Sequence, residues 1–302
     1  MIIGTRGGEF ALHQAQLVRG IMVDRGVTET SVKVLRTADD VLAEAAMNGS
    51  VEGGFALETL ESALLSGDID LAVFCVDQLP LVMPEGLVLG AIPHRGERRM
   101  VVVIRYAAWE ERAPLELKSG ACLGIQPLRC RAQLIDLRPD IKVVPLQGNV
   151  ASQLRRLRQK RMDGLVLPGL HLELLEVDLS GFAVSKVSVS QLVPPPGQGA
   201  LAVLCRQDDI DAINACKLIH DPRVGVEIEV EREVQRRIQV SDSGSFAASC
   251  ERSDGTFRLS VFLDAADNPR GEHLRKEFVA DSAEEVIAAA CDFLATAGFP
   301  QL

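Results

Sequence analysis

The side chains with chemical capacity in this chain are scattered rather than clustered. Seven cysteines (Cys75, Cys122, Cys130, Cys205, Cys216, Cys250 and Cys291) are odd in number, lie mostly in apolar runs and form no CxxC pair. That spacing predicts neither a disulfide framework nor a zinc site; reduced thiols acting as small core residues are expected instead. His13, His94, His171, His220 and His273 show no ligand spacing either, so no metal is expected. The densest positive patch is LRRLRQKR, from Leu154 to Arg161. On a helix it turns Leu154 and Leu157 inward and its cations to water, a solvated face before it is an anion site. Gly4, Gly148, Gly197 and Gly199 sit where tight turns or close main-chain approach are expected.

The elements that must position these residues alternate along most of the chain. MIIGT reads as a strand, and the stretch from Glu9 to Arg25 places Leu12, Ala15, Val18 and Met22 on one helical face. SVKVLRT is a second strand, Phe55–Leu65 a helix, and IDLAVFCV a continuous apolar run suited to a buried parallel strand. LVLGAIP and MVVVIRY are strands leading toward a second domain. There the rhythm repeats as ACLGI, a helix over Leu128–Arg138, IKVVPL, a helix over Val150–Arg161, and DGLVLPG. Such alternation predicts βαβ units and mainly parallel sheets. LVPPPGQGALAVLC then breaks the rhythm with two turns and a strand, read as a return to the first domain. A charged helix near Gly225–Gln239, an alternating strand GTFRLSVFLDA with one wet face, and a helix from Ser282 to Ala297 complete the pattern. The expected architecture is α/β: domain 1 over 1–96 and 194–215, domain 2 over 97–193, and a smaller α+β domain over 216–302.

Composition narrows the partners. The chain has 302 residues, 42 acidic and 32 basic, for a net charge of −10, with aromatics at 4%. An acidic, aromatic-poor surface makes nucleic acid a poor partner. No apolar run reaches the roughly 18 residues that span a bilayer, so no membrane role is expected. The start, MIIGTRGGEF, lacks a basic segment followed by an apolar one, which predicts a cytoplasmic protein.

Four stretches, in order, resemble the porphobilinogen deaminase (hydroxymethylbilane synthase) family of tetrapyrrole and heme biosynthesis. They are GTRGGEFALHQAQ, LESALLSGDIDLAVFCVDQLP, LRCRAQLIDLRPDIKVVPLQGNV and LVPPPGQGALAVLCRQDD, followed by an ER…DG-strand pattern from Glu231. The resemblance implies two periplasmic-binding-protein-like α/β domains around a cleft, with a third, α+β domain. It implies a transferase that joins four porphobilinogen units on a dipyrromethane cofactor. That cofactor is held by a thioether to a cysteine, with a cleft aspartate assisting ammonia loss and arginines neutralising carboxylates. Such chemistry needs a soft nucleophile, a titratable carboxylate and guanidinium forks.

Residue by residue, the resemblance meets departures. Ungapped matching from Glu231 to Gly255 places Asp242 in the cysteine slot, and a carboxylate forms no thioether, so no dipyrromethane cofactor is expected. Cys250 falls in the strand beyond that loop. The cleft-aspartate slot holds Gln78, which cannot titrate. Asp77 is one position off, and on a strand that shift reverses side-chain direction. Arg6 and Arg129 keep their family positions. Cys130 replaces the second of paired arginines, Gln147 and Gln153 replace those flanking the GNV turn, Leu174 replaces another, and Gly8 replaces a serine. Arg131 and Arg155 are neighbours that helix geometry turns elsewhere. Gln14, Asn149 and Gln198 also match family positions, as ligand contacts or as turn and packing residues.

Each lost charged hydrogen bond weakens binding by roughly 1.5–3 kcal/mol, and several together by about three or more powers of ten. The sequence therefore predicts a divergent, monomeric pseudoenzyme whose partner is a small, less anionic ligand. Two alternatives stand beside it. One is an active hydroxymethylbilane synthase with chemistry relocated to Cys250 or Asp77; the other is a structural subunit with a collapsed cleft.

Overall fold

The computed structural model describes residues 1–35, 54–126, 130–239, 246–264 and 272–296. The chain opens with β1 (Ile2–Arg6), α1 (Glu9–Asp24), β2 (Ser31–Leu35), α2 (Gly54–Leu65), β3 (Leu71–Cys75) and β4 (Leu87–Arg95). There follow β5 (Met100–Arg105), β6 (Cys122–Ile125), α3 (Arg131–Leu137), β7 (Lys142–Pro145), α4 (Val150–Arg158), β8 (Gly164–Pro168), α5 (Gly169–Leu174) and β9 (Phe182–Lys186). Next come β10 (Ala200–Arg206), α6 (Ile210–Ile219) and α7 (Pro222–Arg237). The small sheet β11 (Phe246–Ser253), β12 (Thr256–Leu263) and β13 (Leu274–Ala280) and the helix α8 (Ala283–Thr296) complete it. The described chain divides into two compact units, Met1–Gly96 with Glu173–Glu176 and Gly199–Gly225, and Glu97–Leu172 with Val177–Gln198 and Val226–Leu302.

In the first unit the strand order is β2-β1-β3-β10-β4. β3 is buried along its whole length, as its unbroken apolar sequence demands of a strand covered on both faces. β10 runs antiparallel to both neighbours, β3 and β4. The second unit repeats the order as β7-β6-β8-β5-β9, with β5 reversed against β8 and β9. The expectation of mainly parallel sheets is therefore corrected: in each sheet one inserted strand turns half the pairings antiparallel. Apolar runs identify buried strands but not their direction, which depends on how the chain enters them.

Helix faces follow the sequence with one change. Ala11, Gln14, Ala15, Val18 and Met22 line the buried stripe of α1, whereas Leu12 stays 36% exposed, one helical step off the stripe's centre. In α4, Leu154 and Leu157 are buried and Arg155 and Arg158 exposed, the solvated cationic face expected. The charged helix begins earlier than its periodicity suggests, because Pro222 takes the first helical position and Asp221 Oδ1 accepts from the Arg223 backbone N–H at 2.9 Å.

The small sheet is an antiparallel meander, β11-β12-β13. Val230, Val234, Phe246, Leu259, Val261, Val286 and Leu294 belong to its core. β12 does not keep a wet face: Leu259 to Leu263 are all buried. The reason is cover on the second face, where Phe262 packs with Val193 and Ala247 and the Arg275 guanidinium lies 5.0 Å over its ring.

Two carboxylates pin this second unit. Glu231 of α7, fully buried, accepts from the Gly197 and Cys250 backbone N–H groups, each at 2.7 Å. One side chain thereby ties helix, glycine-rich turn and sheet together. Glu97, just before β5, accepts from Arg99 through Nε at 2.8 Å and Nη2 at 2.6 Å, and pairs with Lys186 of β9 at 3.0 Å.

Glu231→Gln presents an NH2 to one of two N–H donors, and urea unfolding should show a loss of about 2–4 kcal/mol; an unchanged midpoint would refute the role. The Arg99 hydrogen bonds hold the Glu97 carboxyl at about 2, below its ordinary 4.5. A depressed folded pKa gives stability that is complete above the unfolded pKa and is lost as pH falls through the folded one. The stability gap between wild type and Glu97→Gln should therefore be constant near neutrality and close between about 4.5 and 2. A gap independent of pH across that window would contradict it.

Candidate functional site

In the first unit, β1 and β3 are parallel neighbours, so their carboxyl ends deliver side chains to one edge, where open α/β sheets bind ligands. β1 ends at Arg6, and β3 runs into a 3-10 turn, Val76–Gln78. The two ends meet: Arg6 Nη2 donates to Gln78 Oε1 at 3.5 Å, a long contact on an exposed side chain. Asp77 is half-buried on the same turn. The strand-reversal expectation for Asp77 is corrected here, because β3 stops at Cys75 and neighbours on a 3-10 turn are a third of a turn apart rather than opposed. Gly8 takes the N-cap of α1 in extended conformation, without a side-chain cap, and a Cβ there would meet open space. Gln14 is buried and donates to Cys75 Sγ at 2.7 Å, so its amide packs α1 on β3.

The second unit builds the equivalent edge from β6 and β7. Arg129 lies outside the described residues, and Cys130 is buried in the sheet's apolar cluster beside Leu134 and Ile125. After β7, Gln147 is exposed and Gly148 adopts φ 95°, a left-handed turn that glycine takes without strain. Asn149 then caps α4, its Oδ1 accepting from Ser152 N–H at 2.9 Å. Gln153 is turned inward, 2% exposed. Its Nε2 donates to the Gly148 carbonyl at 2.8 Å and to Gln126 Oε1. Arg131 is exposed and Leu174 half-buried.

Gln198, also buried, donates to the Arg98 carbonyl at 2.7 Å and to Met100 Sδ at 3.2 Å. It serves the turn that Glu231 holds, in which Gly197 has φ 84°. Cys250 is fully buried in β11, its N–H bonded to Glu231 and its carbonyl to Arg98 at 2.5 Å. The sequence register put it in this strand, and there it is. Asp242 lies outside the described residues. Burial pushes the thiols of Cys122 and Cys291 upward, away from nucleophilic use. Among the described residues no group of three or more His, Cys, Asp and Glu is arranged to hold a metal, and no helix is long and apolar enough to cross a membrane.

Residues 1–214 match the family model of the porphobilinogen deaminase, dipyromethane cofactor binding domain. The chain belongs to the porphobilinogen deaminase family. Its relatives include the porphobilinogen deaminase of Syntrophotalea carbinolica, 32% identical over 97% of this chain and 91% of that protein. That of Geobacter metallireducens is 31% identical over 95% and 93%. Among the solved structures found similar are the BvgS periplasmic VFT2 domain of Bordetella pertussis and an amino acid substrate-binding protein of Streptococcus pneumoniae bound to L-arginine. The first is 13% identical with a TM-score of 0.43, covering 77% of this chain and 92% of that one. The second is 15% identical with a TM-score of 0.42, covering 77% and 92%. The described residues form two five-stranded sheets and a third small one, the α/β class expected of this chain.

Sequence reasoning missed Glu231 and Arg98 as residues that organise this family member. Glu227 and Glu231, one helical turn apart, were the available signal. Arg98 reaches Glu227 at 3.0 Å and Glu227 accepts from the Arg252 N–H at 2.9 Å, so two acids on one helix face imply buried donors opposite. Among the described residues, Arg6 is the one cation at the positions where the resemblance implies an arginine; Cys130, Gln147, Gln153 and Leu174 are neutral.

Gln153→Ala should lower stability by about 1–3 kcal/mol, since it removes a buried amide that donates to the half-buried Gly148 carbonyl. Gln147→Ala should stay within about 0.5 kcal/mol. Equal effects in chemical denaturation would contradict the inward and outward assignments.

Proposed function

We propose that this member of the porphobilinogen deaminase family does not perform the standard polymerisation. In this reading it carries no dipyrromethane and binds a small, less anionic ligand through Arg6 and the neutral residues around it. The observation that carries the reading is Gln153. At a position where the resemblance implies an arginine directed at ligand carboxylates, a buried amide spends its donors on Gly148 and Gln126. Gln78 supports it: the side chain in the aspartate slot accepts from Arg6 and supplies no titratable proton. The register that places Asp242 in the cysteine slot points the same way, and the burial of Cys250 in β11 leaves that thiol without access to a substrate.

The competing reading, an active hydroxymethylbilane synthase, draws on the names of the relatives and on Asp77, one residue from Gln78 on the same turn. Intact mass measurement with a porphobilinogen-consumption assay separates the two. The expected result is the unmodified polypeptide mass and no consumption; a covalent adduct of dipyrromethane mass with turnover establishes the active enzyme instead. Ligand binding is read separately, as a rise in thermal midpoint with millimolar monocarboxylates or simple pyrroles. No rise with any of them would leave a structural subunit as the better account.

A further inference from the structure

Two thiols of the first unit face one another in its interior. Cys205 lies on β10 and Cys216 on α6, and both are fully buried. The space they share is left by Gly90 of β4. A Cβ at that glycine would stand 2.7 Å from Cys216 Sγ and 3.0 Å from Cys205 Sγ, so both sulfurs border a single point with no side chain between. The strand pairing accommodates this locally. Val203 opposes Ala91 and Leu204 opposes Leu89, which makes Gly90 the extra residue of a bulge, a position where glycine permits close approach. The thiols are hydrogen-bonded to each other, which draws Cys205 below the usual thiol range and drives Cys216 far above it. Cys205 is therefore the sulfur that ionises first, with a protonated partner beside it.

We propose that Cys205 and Cys216 are a modification site, a dithiol that closes to an intramolecular disulfide when the protein meets hydrogen peroxide. The Cys205 thiolate attacks one peroxide oxygen and the O–O bond breaks. Cys205 becomes a sulfenic acid, and the departing hydroxide takes up the proton that Cys205 had released, forming water. The Cys216 sulfur then attacks the Cys205 sulfur; the S–O bond breaks, and hydroxide leaves with the Cys216 proton as a second water. Two thiols have lost two electrons to one peroxide. Because neither sulfur meets solvent, the reaction waits on local separation of α6 from the sheet, and the bond once made is shielded from reductants. The product ties the reversed strand β10 to the helix that covers it.

Full-length protein, freed of reductant, treated with hydrogen peroxide and then alkylated, is read by peptide mapping. The expected product joins the Cys205 and Cys216 peptides, with a mass lower by two hydrogens, and dithiothreitol added after digestion separates them. The oxidised protein should also melt higher than the reduced one. Recovery of both peptides alkylated, or of either joined to another cysteine, would overturn the proposal. Cys216→Ser should leave Cys205 open to dimedone as a sulfenic acid. The wild-type peptide map decides the matter even where that variant does not fold.

Discussion

The second unit depends on one buried carboxylate. Glu231 is fully buried and takes two backbone N–H groups, one from Gly197 and one from Cys250. A carboxylate in an apolar interior is unfavourable unless its oxygens are met by donors, and an unpaired backbone N–H there is unfavourable too. Each group removes the other's penalty. The mutual need specifies where α7, the glycine-rich turn and β11 must lie to within a hydrogen-bond length. Burial of apolar side chains alone is non-directional and would leave those positions less defined.

The same logic separates framework from chemistry at the sheet edges. Where the family resemblance implies an arginine aimed at a ligand, Gln153 is an amide aimed at the protein itself, and Gln14 and Gln198, which keep family positions, are turned inward in the same way. Gln14 reaches Cys75, Gln153 reaches Gly148, and Gln198 reaches the Arg98 carbonyl. An amide satisfies a buried carbonyl without the desolvation cost of a guanidinium. At Gln153 the amide meets the Gly148 carbonyl and carries no positive charge. The net charge of −10 adds no compensating attraction.

Much of this was legible in the sequence, and the limits have physical causes. β3 was legible because a strand buried on both faces must be apolar throughout. The reversed course of β10 was not, since ALAVLC reads alike in either direction. α6 escaped notice because its buried stripe, Ala212, Ala215, Cys216 and Ile219, is built largely from small residues with weak hydrophobic contrast. Among the site residues, Arg6 and Gln78 could be placed together from two parallel strands ending at one edge. The inward turn of Gln153 could not, because its partners, a carbonyl and another amide, carry no signature in residue spacing. Arg129 and Asp242, on which the resemblance places much weight, lie outside the described residues.

The placement of β10 also constrains how the chain comes together. The first sheet has its fourth strand in space supplied by residues 200–206, whereas its other strands come from within the first 95. During synthesis β3 and β4 emerge long before the strand that separates them. Until it arrives they expose unpaired backbone edges of apolar strands, the kind of surface that pairs with other chains. Closing so long a loop is slow because its entropy must be met before the contacts reward it. Completion of the amino-terminal half is therefore a late event, gated by a segment that follows all five strands of the second sheet.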